Sequence, residues 1–276
     1  MATISRTFFA GVVCCVVALG ACGNFPGGSS EPTQSARSTY PFEPSISTTG
    51  VLLNFDDEDL LATTVAEGVR VRSLEARGGQ PVQVQSGNGT SALRFPPYSP
   101  EKEAPRLVLV MNSAGATDLL NPKGNDFSFG ADLRLNDLSS GKGDDNGDNV
   151  LQRGLFSDAN QYKLQVDKRV PSCTVKSGEA RLFVKFTKAL QEGWFRVRCD
   201  YQSGSLTLSV SRILTDRVED LGTKTNSTSL GSLDFVGSTP VTIGGKIGTN
   251  GELVVHQSDQ FNGELDNVFV DIPRSA

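Results

Sequence analysis

Residues 193–210 read G-W-F-R-V-R-C-D-Y-Q-S-G-S-L-T-L-S-V. Phe195, Val197, Cys199 and Tyr201 alternate with Arg196, Arg198 and Asp200, and beyond Gln202-Ser203-Gly204 the residues Leu206, Leu208 and Val210 alternate with Thr207 and Ser209. Period two on both sides of a short Gly-containing break specifies an antiparallel hairpin with one buried face. Working outward, Phe127, Phe129, Ala131, Leu133 and Leu135 repeat the same alternation and predict a central strand. Shorter candidates recur before it at Val51–Phe55, Val69–Val71, Val82–Val84, Ala92–Phe95 and Leu107–Met111. After it come Val150–Gly154, Tyr162–Val166, Leu182–Phe186, Leu230–Phe235, Val241–Gly244 and Glu264–Ile272. Roughly a dozen short strands separated by turn residues, with no βαβ alternation and no internal repeat, predict an all-β, two-sheet antiparallel sandwich.

The chain of 276 residues carries 31 acidic and 26 basic side chains, a formal charge of −5. That balance offers no general attraction for a phosphate backbone, which argues against nucleic acid as a partner. Of five cysteines, Cys14, Cys15 and Cys22 lie at the N-terminus, leaving Cys173 and Cys199 in the body. An even pair in an exported chain reads as a disulfide. A zinc site reads poorly, since it wants three or four ligands and His256 is the only histidine.

Residues 1–21 read as a signal peptide: Arg6 supplies the positive charge and Phe8 to Leu19 an apolar run too short to span a bilayer comfortably. The run ends in Leu19-Gly20-Ala21-Cys22, which resembles the lipobox of bacterial lipoproteins. The resemblance implies a diacylglyceryl group on Cys22 and a protein anchored to the cell membrane, facing the extracellular or periplasmic side. Residues 22–47 are rich in Gly, Ser and Pro without apolar period and predict a flexible tether, followed by a folded domain over 48–273.

The pattern W-x-x-V-x-C-x-Y-x-x-G-x-L-x-L-x-V from Trp194 resembles the paired strands of laminin-G-like domains. So do Leu53–Asp56, Asp148–Phe156 with Gln161–Leu164, and Phe261–Ile272, so that the resemblance spans nearly all of 50–272. Gln202-Ser203 and Ser211-Arg212 stand where the pattern usually has Asp-Gly, both at turns. The resemblance implies a concanavalin A-like jelly roll, whose members include carbohydrate-binding modules, adhesive domains and some glycan hydrolases.

First and last strands are commonly neighbours in such sandwiches, so Asp56 or Asp57 is expected to meet Asp266, a carboxylate set suited to calcium. The loop carrying Asp144, Asp145 and Asp148 is a second candidate, without the spacing of an EF-hand. Trp194 reads either as a sugar-stacking platform or as a packed structural residue, with Phe183 and Tyr98 as further aromatic candidates. His256 has no spaced partner and reads as a surface or turn residue. No paired-carboxylate run of the glycosidase kind, no G-x-S-x-G and no H-E-x-x-H is present. The expected function is a non-catalytic, surface-displayed binding module for carbohydrate. A structural or protein-interaction lipoprotein is the alternative, and a glycan hydrolase the third reading.

Overall fold

The computed structural model describes residues 43–61, 68–87, 89–99, 103–136, 147–235, 239–255 and 259–274. The signal peptide, Cys22, most of the tether, Asp144, Asp145 and His256 lie outside the described residues. Among the described residues fifteen strands follow one another. The first eight are β1 (Val51–Leu53), β2 (Val69–Ala76), β3 (Val82–Gln85), β4 (Ser91–Arg94), β5 (Arg106–Ser113), β6 (Phe127–Leu135), β7 (Asp148–Arg153) and β8 (Asn160–Asp167). The remainder are β9 (Val170–Ser177), β10 (Ala180–Lys185), β11 (Trp194–Gln202), β12 (Ser205–Ile213), β13 (Val218–Ser227), β14 (Val241–Ile243) and β15 (Gly263–Asp271).

They form two antiparallel sheets. Sheet A has the order β13-β12-β11-β6-β15-β4-β3, with β1 also paired to β15; sheet B has the order β10-β9-β8-β7-β14-β5-β2. This is a jelly-roll sandwich, as the alternation predicts. The hairpin at its origin is β11–β12, in register from Trp194↔Ile213 to Gln202↔Ser205. Its two-residue turn puts Ser203 and Gly204 at φ 48° and 83°, the left-handed pair that matches strand twist. Ser203 takes this conformation without the usual Asp or Asn, held by a hydrogen bond from its N–H to Asp126 Oδ1 (2.8 Å).

Inward-facing residues of both sheets merge into one core in which Phe127, Phe129, Tyr162, Tyr201 and Phe235 cluster with ring centroids 5.2–5.7 Å apart. The buried Tyr162 hydroxyl donates to Leu120 O (3.2 Å), and burial raises its pKa well above the usual phenol value. Cys173 on β9 and Cys199 on β11 are bonded to each other, so the bridge joins sheet B to sheet A through the core. One charged group shares this interior. Arg153, on the inner face of β7, ion-pairs Asp118 and lies 4.4 Å over the Phe235 ring.

Four segments depart from the sequence expectation. β9 and β13 are strands that apolar alternation does not announce: β9 opens with Val170-Pro171-Ser172, and β13 is solvent-exposed along nearly all its length at a sheet edge. Residues 230–235, expected as a strand, make only an isolated bridge, Leu233↔Lys123. Residues 43–47, expected within the tether, are held against the domain. Pro44 is buried, Ser45 O accepts from Arg198, and Ser47 donates through N and Oγ to Asp271.

Candidate ligand-binding site

The outer face of sheet A holds the carboxylates read as calcium ligands. β1 does pair with β15, in register Val51↔Val270 to Leu53↔Val268, and this brings the chain at Asp56 toward Asp266. A bulge follows Asp266, with Asn267 at φ 48°, and turns both side chains onto the outer face. There Asp266 Oδ1 accepts from Asn267 N (2.7 Å) and Oδ2 from Thr90 Oγ1 (3.1 Å), while Asp56 Oδ1 accepts from Ser91 N (2.8 Å). Asp132, opposite Asp266 on β6, is clamped by Arg196 at 2.7 and 2.8 Å and by Asn267 Nδ2 at 2.9 Å. Asp57 is exposed and joins none of these hydrogen bonds.

Burial raises Asp132 above the ordinary aspartate range despite Arg196. Asp266 is pushed up to about 8, first by burial and then by the charges of Asp132 and Asp56. Among the described residues no group of three or more His, Cys, Asp or Glu side chains is arranged to hold a metal ion. Both Asp266 oxygens already face hydrogen-bond donors, so the residues present form an incomplete calcium shell. Asp148, the described member of the second acidic candidate, is a buried residue of β7 rather than a loop ligand.

The Asp266 shift predicts a pH dependence of stability. A carboxyl whose folded pKa lies above its unfolded value contributes stability that is fully present below the unfolded pKa, near 3.9, and is lost as pH rises through the folded one, about 8. The thermal midpoint is therefore expected to fall between about pH 4 and pH 8, and Asp266→Asn to flatten that slope. Repeating the titration with calcium in excess tests the ion directly, because an ion that binds only ionised native protein must raise the midpoint at high pH.

Trp194 also lies on the outer face of sheet A, outside the main core. It is 6 % exposed, packed with Ala92, Val84 and Ile213, and Arg134 sits 5.8 Å from its ring. Gly87 closes over it: a Cβ there would stand 2.3 Å from Trp194 Cδ1. The ring is covered, which favours the structural reading over a stacking platform.

The outer face of sheet B is different. A cavity of about 790 Å³ opens on it, with Gln152, Thr242 and Val110 at its floor. Asn112, Asn160 and Asn250 bring amides to its sides, and Ile247 and Phe235 bring apolar surface. Gln152 and Thr242 are buried, while Asn112 makes no hydrogen bond to another described residue beyond the sheet ladder. Two carboxylates line the same space. Asp158 Oδ2 accepts from Leu155 N (2.7 Å) and Asp234 Oδ1 from Asn121 Nδ2 (2.9 Å). Beyond the cavity, Phe156 is 73 % and Phe183 39 % exposed, with Arg181 6.0 Å over the first ring and 5.1 Å over the second. Of the aromatic candidates, Phe183 alone presents an open ring; Tyr98 is half-buried. Asn112, Asn160 and Asn250 carry no motif in the sequence, and Gln152 and Phe156 lie in the stretch 148–156, which reads for fold and not for a site. Only the outward parity of Gln152 on its strand marks it, and that parity is blurred by the register shift in β7.

No family model and no curated protein sequence matches the chain. Solved structures do. The binding domain of Paraclostridial Mosquitocidal Protein 1 superposes with a TM-score of 0.50 at 11% identity, covering 83% of this chain and 50% of that one. The binding domain of botulinum neurotoxin serotype G does so with 0.50 at 8%, covering 83% and 48%. The LG1–3 region of the laminin α2 chain follows with 0.42 at 10%, covering 75% and 32%. The fold is a two-sheet antiparallel jelly roll. At these identities the likeness is one of fold, and the chain spans half or less of each of these structures.

Proposed function

We propose that the protein is a non-catalytic carbohydrate-binding module, displayed on the cell surface by a lipid on Cys22. The observation that carries this reading is the cavity on the outer face of sheet B, where amide and hydroxyl side chains sit beside exposed apolar surface. Sugars present both hydroxyls that need such partners and apolar ring faces that need such walls. The test is a glycan array probed with the full chain and with Asn112→Ala and Gln152→Ala. Each loss of a hydrogen bond is expected to weaken binding by up to about tenfold. Unaltered binding by both variants, or no glycan bound at all, would overturn the assignment. Cys22→Ser is expected to move the protein from the membrane to the soluble fraction.

A hydrolytic reading has one observation behind it, the presence of Asp158 and Asp234 in the same cavity. Each already accepts a hydrogen bond that fixes local structure, which suits an orienting role better than proton transfer. Turnover of a bound glycan that disappears in Asp158→Asn and Asp234→Asn while binding persists would establish the enzyme instead.

A further inference from the structure

The outer faces of the two sheets treat charge in opposite ways. On sheet A four arginines are ion-paired with carboxylates of the same or the neighbouring strand. Arg196 pairs with Asp132, Arg198 with Asp200, and Glu264 lies between Arg94 and Arg134. Opposite charges on facing residues neutralise the surface strand by strand.

On sheet B the register builds a single transverse row. Arg72 on β2 faces Val110 on β5, which faces Thr242 on β14, which faces Gln152 on β7. The row continues from Gln152 to Lys163 on β8, Thr174 on β9 and Phe183 on β10. Seven strands at about 4.8 Å spacing make it about 29 Å long. The cavity covers its first half, from Arg72 to Gln152. Arg181 and Lys176, opposite each other in the neighbouring row, flank its far end.

These cations lack the partners found on sheet A. Arg72 has no ion pair with a described residue. Arg181 donates to Thr174 Oγ1 (3.3 Å), and Lys176 donates to the carbonyls of Phe156 and Asp158 (2.9 and 2.8 Å). Lys163, at the middle of the row, is half-buried; burial brings its amine down to about 8, with Asp259 opposing that shift. It therefore still holds its proton at neutral pH. A protein of net charge −5 thus places Arg72, Lys163, Lys176 and Arg181, none of them in a carboxylate ion pair with a described residue, along one line that runs out of the cavity.

We infer that this row is the binding track of a linear anionic polysaccharide, laid across the strands of sheet B. The inference rests on reading the cavity as a glycan site and adds the class of glycan. Sugar rings would occupy the cavity over Gln152 and Thr242, and carboxylate or sulfate groups would meet Arg72, Lys163 and the Lys176–Arg181 pair. The open rings of Phe156 and Phe183 border the far end, where an apolar sugar face can stack. A chain of this kind fits better than a small neutral sugar because the charge continues well beyond the cavity's own walls.

The experiment measures binding of the full chain to polygalacturonate, dextran sulfate and neutral dextran, at low and high salt. A triple variant, Arg72→Gln/Lys163→Gln/Arg181→Gln, is compared with a control that removes three charges elsewhere, Arg212→Gln/Arg217→Gln/Lys224→Gln. Binding to one or both polyanions is expected, weakening with salt, falling about tenfold or more in the triple variant and little in the control. Preference between the two polyanions then tells carboxylate from sulfate. Equal binding of neutral dextran, equal loss in both variants, or equally tight capture of single-stranded DNA would overturn the anionic track. Of these, dextran binding would leave the carbohydrate site standing, whereas failure of every glycan would remove both. Should the triple variant not fold, Arg181→Gln alone on the edge strand carries the same comparison.

Discussion

Asp118→Ala is expected to lower the unfolding free energy by about 3 kcal/mol or more, the scale for removing one partner of a buried ion pair. Arg153 is the reason. Its side chain is 1 % exposed and surrounded by the aromatic interior, whereas Asp118 is 26 % exposed. Burial works to raise the Asp118 carboxyl, but the hydrogen bond and charge of Arg153 outweigh it and hold the group below its ordinary value. Removing Asp118 strands a guanidinium that cannot lose its proton. Removing Arg153 as well converts the site to an apolar one. Asp118→Ala/Arg153→Met should therefore recover most of the loss, as measured by chemical denaturation. A double variant no more stable than Asp118→Ala would show that the carboxylate matters through its hydrogen bonds from Ser113 Oγ and Leu120 N instead.

The second large effect belongs to the disulfide. Cys173→Ala/Cys199→Ala opens a loop of 26 residues, and the loop-entropy relation gives a cost of about 3.5 kcal/mol. Reductant should shift the unfolding midpoint of the native chain toward that of the double variant and leave the variant unmoved. Because the bridge spans the two sheets rather than one hairpin, its loss should also loosen the packing between them, visible as faster amide exchange in β9 and β11. A midpoint insensitive to reductant under conditions that cleave the bond would refute the expectation.

The sequence announces the elements in which one face is buried and the other is wet. Residues 193–210 and 127–135 have that character; the second matches its strand to the residue, and the first finds the hairpin and its turn while β12 runs on to Ile213. β13 is legible to no such rule, because an edge strand wet on both sides has no alternation to show. The disulfide is readable by counting, since two cysteines leave one pairing. Trp194 shows where parity succeeds and burial misleads: it shares the outward parity of Arg196 and Arg198, yet loop residues around Gly87 cover it. The cavity is the least legible part. Its residues come from five strands and three loops, and what unites them is a transverse register fixed by hydrogen bonds between strands distant in sequence. No single stretch carries that information.

The strap at residues 43–47 has a mechanical consequence. Force arriving along the chain from the N-terminal side meets Arg198 through Ser45 and Asp271 through Ser47 before it reaches β1. β1 is itself paired to β15, deep within sheet A, where yielding requires several ladder bonds to fail together rather than one after another. From β11 the covalent bridge to β9 is the stiffest route by which tension reaches sheet B. Load is thus borne first by sheet A, and it passes to the sheet whose outer face holds the cavity through that bridge.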